Sequence, residues 1–186
     1  MRVSREQVAE NRQKILAVAG RLFRERGFDG VTVADVMHAA GLTHGGFYGY
    51  FKSKDDLIAH TLEHVMAQGA QGEADLVRYA ARYLSPAHRD NVAQGCPIAA
   101  LGAEAARQTP GTRAALAAGL KNQIERFARE MSEADPAAAR RAAIGSWAAM
   151  VGAMLFARLS DDAALSDEVL SETYAWIAEH TKHAGA

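Results

Sequence analysis

At 186 residues the chain is sized for one domain or for a small head joined to a larger body, and its 49% hydrophobic content is that of a globular protein with a substantial core. Only four prolines and abundant alanine favour helix throughout, and a single cysteine excludes both an internal disulfide and a zinc-holding thiolate cluster. The net charge of −1 conceals an asymmetry: residues 1–54 hold nine Lys/Arg against five acids, and the remainder twelve against seventeen, so a basic part suited to phosphates precedes an acidic part that phosphates repel.

The longest apolar candidate for a membrane span, residues 142–157, is interrupted by Gly145, Ser146 and Gly152. The polar start MRVSREQVAENRQK lacks the apolar core of a signal peptide. The expectation is a soluble, cytoplasmic protein without a membrane partner.

The first predicted helix runs over residues 5–26, where Val8, Ile15, Ala19, Leu22 and Phe23 recur at helical spacing and Gly27 supplies a stop. Its polar side is basic, and Arg2 and Arg5 at its start can reach phosphates or a minor groove. Next comes TVADVMHAAGLTHGGFYGYFKSK, residues 32–54. Thr32 is a good N-cap, and Asp35 can return its bond as in a capping box. Val33, Val36, Met37 and Ala40 fall on one helical face, Gly41 permits the left-handed turn, Leu42 fills the corner, and Thr43 is placed to cap a second helix near residues 44–50. Two helices at a glycine corner make a helix-turn-helix, whose second helix enters the DNA major groove.

In that second helix Phe47 and Phe51 are expected to pack inward, and Thr43, His44 and Tyr48 to face the groove. Tyr48 and Tyr50 can donate to phosphate, and Lys54 opens the next helix, where its ammonium and backbone N–H groups can share one. Gly45, Gly46 and Gly49 are poor helix formers, so three in one short helix suggest close approach to a groove wall. With no Arg, Asn or Gln for bidentate base contacts, operator choice is expected to draw on DNA shape.

This pattern, matched at Val33, Ala40, Gly41, Thr43, Gly45, Phe47, Tyr48, Phe51, Lys54 and Leu57, resembles the DNA-binding segment of TetR/AcrR-type transcriptional regulators. That family usually has histidine where Tyr50 stands. The resemblance covers about residues 5–58 and implies an all-α protein: an N-terminal three-helix DNA-binding head with a helix-turn-helix at 1–53, then a helical effector-binding and dimerisation bundle at 54–186. Arg5, Thr32, Thr43, His44, Gly45, Tyr48, Tyr50 and Lys54 become the candidate DNA-binding residues.

Leu57, Ile58, Leu62, Val65 and Met66 form the apolar side of a helix from Lys54 to about residue 68, the lever between head and body in TetR-like proteins. The 69–72 segment GAQG breaks it before a helix over 73–84. Within it His60, Glu63 and His64 spell H-x-x-E-H, which puts both histidines on one face as in some zinc peptidases. Nothing downstream completes a catalytic site, so a small-molecule-binding or metal-dependent enzyme is only the alternative to a regulator, and no catalytic residue, cofactor or metal is expected.

Ser85-Pro86 ends a helix, a polar loop follows, and Pro97 fits the first position of a helix to about residue 108. Cys96 therefore stands at a helix N-terminus, where the partial positive charge favours thiolate; the competing assignment is a small buried hydrophobe. The run Gly95, Cys96, Pro97, Leu101, Glu104 is similar to a TetR subgroup that includes NemR-like repressors, which implies sensing of oxidants or electrophiles by this cysteine.

Pro110-Gly111 reads as a turn before a helix over 112–131 carrying Leu116, Leu120, Ile124 and Phe127. A helix from Asp135-Pro136 to about residue 159 is apolar nearly all round and must be buried on more than one side, and a last helix spans 166–182. Two such helices from each of two subunits make a twofold four-helix bundle, with Val151, Leu155, Val169, Thr173 and Ile177 as candidate interface residues. Leu62, Met66, Tyr79, Tyr83, Cys96, Trp147, Met150 and Met154 are the candidate effector pocket, since bundle interiors are frequent ligand sites. The functional expectation is a homodimeric repressor that holds a pseudopalindromic double-stranded operator and is released by a small molecule or by electrophile or oxidant modification of Cys96.

Overall fold

The computed structural model describes residues 4–69, 72–131 and 135–182, so Arg2 lies outside the described part. Among those residues every regular element is helical: α1 Arg5–Arg26, α2 Val33–Ala39, α3 Lys54–Gly69, α4 Leu76–Tyr83, α5 Pro86–Asp90, α6 Pro97–Ala105, α7 Pro110–Glu130, α8 Pro136–Leu159 and α9 Ala163–Lys182, with 3₁₀ turns at His44–Gly49 and Val92–Gln94. They form two compact units, one of Met1–Gly69 with Cys96–Gly119 and one of Ala70–Gly95 with Leu120–Ala186.

In the first unit, α1 begins because the Ser4 hydroxyl accepts the Gln7 N–H at 3.1 Å. It ends because Gly27 takes φ 73°, which spares an L side chain its Cβ clash, and returns its N–H to the Phe23 carbonyl at 2.8 Å. Ile15, Leu16, Ala19, Leu22 and Phe23 are buried, whereas Val8, expected on the same face, is 39% exposed: the packed stretch starts at Ile15. Gly20 lets α3 close in, since a Cβ there would stand 2.6 Å from a Val65 methyl. Across the core Phe23 meets Phe28 edge-on at 5.4 Å, and Leu57, Ile58 and Leu62 of α3 complete it with Leu101 and Ala105 of α6. The Glu104 carboxylate of α6 accepts the backbone N–H of Phe28 at 2.7 Å and of Asp29 at 3.3 Å.

In the second unit α8 packs against α9, α4 and α5. Its rings cluster: Trp147 lies 5.7 Å from Tyr79, 5.5 Å from Tyr83 and 5.8 Å from Phe127. The Ser166 hydroxyl donates to the Ala157 carbonyl at 2.7 Å, and Arg89 donates to Ser166 at 2.8 Å and Asp167 at 2.7 Å. These bonds pin α9 to α8 and α5 where apolar contact runs out.

Several local expectations change. Residues 86–90 are a helix rather than a polar loop, because Ser85 caps it through the His88 N–H and Pro86 occupies its first position. Pro110 likewise starts α7 rather than belonging to a preceding turn, and α9 starts at Ala163, with Asp162 accepting the Ala164 N–H at 2.8 Å. By length and composition α8 is apolar enough to cross a membrane, because Gly145, Ser146 and Gly152 lower its hydropathy too little to interrupt it. One side of α8 is buried against α9 and α4, and its other side leaves Ile144, Leu155, Phe156 and Leu159 exposed.

Candidate nucleic-acid interface

The segment 32–54 builds from its caps. The Thr32 hydroxyl accepts the Asp35 N–H at 3.1 Å while the Asp35 carboxylate accepts the Thr32 N–H at 2.8 Å, a complete capping box. The Thr32 hydroxyl and N–H both hold the Asp35 carboxyl below its usual range. Both donors of Thr32 are committed to Asp35, and the exposed Thr32 is the residue that starts α2. Val36, Met37 and Ala40 are fully buried and Val33 half-buried. Gly41 turns the chain at φ 69°.

The second helix departs from expectation. Residues His44–Gly49 wind as a 3₁₀ helix, and the Thr43 side chain makes no capping bond. Three glycines in six residues give little propensity for the longer α repeat, and the turn is held by Gly46 N–H to the Thr43 carbonyl at 3.0 Å and Tyr50 N–H to the Phe47 carbonyl at 2.9 Å. The Thr43 hydroxyl is left exposed and uncommitted to the cap.

Phe47 and Phe51 do pack inward, stacked at 5.9 Å, with the Arg12 guanidinium 5.0 Å from the Phe51 ring. Tyr48 stands out at 75% exposure, steadied edge-on by Phe47 at 5.3 Å. His44 and Gly45 share the exposed side. Tyr50 is half-buried and its hydroxyl accepts from the Asn11 side-chain amide at 3.0 Å, so α1 fixes its ring while its own proton stays available to an acceptor. Arg5 is exposed at the first position of α1.

Lys54 opens α3 as expected, but the anion site expected there is partly filled. Ser53 accepts the Asp56 N–H at 3.1 Å, Asp56 accepts the Lys52 N–H at 2.9 Å, and Asp55 and Asp56 already face the positive end of the helix. The ammonium of Lys54, rather than the helix end, is what remains for a phosphate.

Gly45 and Gly49 have nothing within 4 Å of where a side chain would begin, and neither has positive φ. Among the described residues no neighbour requires a glycine at either place.

The H-x-x-E-H residues do not converge. His60 faces Glu63 at 3.1 Å and Asp56 at 3.5 Å, His64 meets Gln68 at 3.0 Å, and no group of three metal-ligating side chains occurs among the described residues. The expected effector residues fall in both units. Tyr79, Tyr83, Trp147, Met150 and Met154 belong to the second, while Leu62, Met66 and Cys96 belong to the first. Leu62 is fully enclosed in the first unit's core. Cys96 is a half-buried thiol at the N-cap of α6. Burial lowers the pKa of the Arg24 guanidinium, opposed by its neighbours Cys96 and Glu25.

Of the dimer candidates, Val151 and Thr173 are half-buried, Val169 likewise, and Leu155 is 40% exposed. Ile177 is completely buried within its own chain and has no surface to offer a partner. The uncovered apolar residues missed by sequence reading are Ile144, Phe156 and Leu159 on α8 with Leu165 and Trp176 on α9. Helical spacing is the signal that marks most of them: Ile144, Val151, Leu155 and Leu159 share one stripe, and Leu165, Val169, Thr173 and Trp176 another. A groove of about 360 Å³ lined by Ala149, Glu172, Thr173 and Trp176 joins the two helices.

Residues 15–61 match the profile described as "Bacterial regulatory proteins, tetR family", and residues 72–172 that described as "Tetracyclin repressor-like, C-terminal domain". The chain is 35% identical over 82 residues to the HTH-type transcriptional regulator AcrR of Shigella flexneri, covering 44% of this chain and 37% of that protein. It is 35% identical over 63 residues to TtgR of Pseudomonas putida, covering 34% and 30%. The matched segments thus span about a third of the length of those relatives. Among solved structures, reduced E. coli NemR superposes with a TM-score of 0.75 at 23% identity over 91% of this chain and 96% of that one. A Rhodococcus TetR-family structure gives 0.69 at 21% over 91% and 97%. Both likenesses concern the fold.

Proposed function

Because this chain belongs to the TetR family of bacterial regulatory proteins, we propose that it is a homodimeric transcriptional repressor whose residues 1–53 read DNA and whose residues 54–186 bind effector and partner. The observation that carries the reading is the exposed ridge of Thr43, His44, Gly45 and Tyr48 over a buried phenylalanine pair, on the basic part of the chain. The open space at Gly45 and Gly49 supports it, since only something outside the chain gains from missing side chains there. Arg5, Tyr50 and Lys54 serve as phosphate contacts flanking the ridge.

The 3₁₀ element presents few long polar side chains, so one head discriminates weakly. Two heads set one or more helical turns apart on a pseudopalindromic operator supply the rest. The exposed stripes on α8 and α9 support a second copy of the chain as the missing cover, and Gly145, Ala149 and Gly152 of α8 allow close helix approach. A DNA fragment selected from the protein's own genome tests the regulator reading. Affinity should fall steeply between 50 and 200 mM salt, as expected on the order of 10³-fold for several neutralised phosphates, and a flat response would refute it.

Release is assigned to a small molecule in the body or to Cys96, which stands at the start of α6 near Arg24. Cys96→Ser should keep DNA binding and abolish release by an electrophile; release that survives the change assigns induction to a noncovalent ligand.

A further inference from the structure

We propose that the interior of the second unit takes a flat, mostly apolar ligand ending in a carboxylate, received by the Trp147 indole N–H, the Arg126 guanidinium and Gln123. This rests on the effector-responsive regulator reading and supplies the chemical class of its small molecule.

The walls are aromatic. Tyr79 lies 4.9 Å from Phe127 edge-on and 5.8 Å from Tyr83 in a stack, and Trp147 approaches all three rings. Such walls favour a planar, apolar body, because rings stack or meet edge-on with other rings.

The polar groups among those walls are unbalanced. Trp147 is 5% exposed, and its only polar side-chain atom, the indole Nε1, is buried without an acceptor. Gln123 is 4% exposed with its amide nitrogen unpartnered, one helical turn from Phe127 on α7. Arg126 donates through Nη1 to the carbonyls of Gly72 and Glu73, each at 2.9 Å, which fixes its guanidinium, yet Nε and Nη2 are buried without acceptors among the described residues. The guanidinium carbon lies 5.8 Å from the Tyr79 centroid and 5.1 Å from that of Phe127, so it faces the same two rings as Trp147.

Every one of these atoms is a nitrogen donor. Native interiors pair nearly all buried polar groups, and an unpaired buried donor is unfavourable. An amide can turn to exchange its ends, but an indole N–H and a guanidinium can only donate. The missing partner is therefore an acceptor. The permanent charge of Arg126, with Arg82 also 5.7 Å from the Tyr79 ring, selects an anionic one over a neutral carbonyl. Glu73 and Glu130 are the acids that bear on Arg126, and they moderate its field from the chain's own side.

The test uses full-length protein and three probes of one shape: 2-naphthoate, 2-naphthamide and naphthalene. Calorimetric titration should show naphthoate bound once per chain and at least tenfold tighter than naphthalene, with the amide between. Trp147→Phe keeps a ring and removes the donor, and should weaken naphthoate roughly tenfold while leaving naphthalene within about twofold. Arg126→Met should erase the preference of naphthoate over naphthamide, and Gln123→Leu serves as a second donor variant if Trp147→Phe folds poorly. Naphthoate that fails to bind the unaltered protein, or binds the variants as well as the parent, overturns the proposal; a variant merely more heat-stable with unchanged affinity shows the donors had no ligand to meet. Retention of the selected DNA fragment is followed in parallel. Lost acid selectivity with intact DNA binding sinks the ligand class alone, whereas lost DNA binding in the unaltered protein sinks the regulator reading.

Discussion

A side chain at Gly27 would start 2.8 Å from a carboxylate oxygen of Glu104, seventy-seven positions along the chain. The same carboxylate holds the N–H groups of Phe28 and Asp29, so the turn that ends α1 is shaped by α6 as much as by its own sequence. Glu104→Ala should strand a part-buried N–H and cost about 1–2 kcal/mol, read as a fall of several degrees in Tm. Glu104→Gln keeps an acceptor and should lose clearly less. Gly27→Ala meets both the positive φ and the carboxylate, and should destabilise at least as much as Glu104→Ala. Equal Tm values for all four proteins would show the contact to be idle.

The glycines of the 3₁₀ turn separate stability from function. Alanine at 45 or 49 meets open space, so Gly45→Ala or Gly49→Ala should leave Tm unchanged or raise it, by up to about 1 kcal/mol in helix propensity. If DNA presses on this turn, the same changes should weaken operator binding tenfold or more in a mobility-shift titration. Undiminished binding would mean that no groove wall comes near.

If the uncovered apolar residues of α8 and α9 meet a second copy, as proposed, charge placed there should split that dimer. Phe156 is 65% and Trp176 46% exposed in the single chain, so Phe156→Glu or Trp176→Glu disturbs little inside it. Light scattering should report a change from two chains to one, with helicity retained. Ile177→Glu should instead unfold the second unit, because that side chain is wholly buried. A dimer that survives both surface changes would place the interface elsewhere.

His88 gives the second unit a pH dependence. Burial lowers its pKa, opposed by the Tyr83 carbonyl that it faces at 2.7 Å and aided by the charges of Arg158 and Arg82. The folded chain therefore holds this imidazole neutral more firmly than the unfolded chain does. That stability is present above the ordinary histidine value of about 6.5 and is lost as pH falls below it. Tm should drop between pH 7.5 and pH 5, and His88→Gln should flatten the drop. The pKa of His64 is also lowered, by burial and then by Arg12, so it adds to the slope in the same direction.

What the sequence made legible follows from the range of each signal. The start of α1, the capping box at Thr32, the turn at Gly41 and the Asp135-Pro136 start of α8 are set by residues within four positions of one another, and all are found where spacing places them. The kind of helix at 44–49 was not legible, because 3₁₀ and α windings share their i+3 neighbours and Phe47 is buried in either. The Glu104 contacts escaped notice because a hydrogen bond across seventy-odd residues leaves no periodic trace. Ile177 and Trp176 changed places for a simpler reason: on α9 both lie among apolar residues, and one step along a helix turns a side chain by about 100°. The orphaned donors of Trp147 and Arg126 emerge only once the chain is folded, since what marks them is the lack of a neighbour.

Gly20 carries a constraint of a different kind. With a Val65 methyl 2.6 Å from where its first side-chain carbon would be, α1 and α3 touch backbone to side chain with no slack. Parts fitted that tightly cannot slide past each other by small degrees. The close fit couples α1 to α3, and α1 carries Asn11, whose amide donates to the Tyr50 hydroxyl. The ridge and the interior leave room for retuning, but any side chain at position 20 would force Val65 to move.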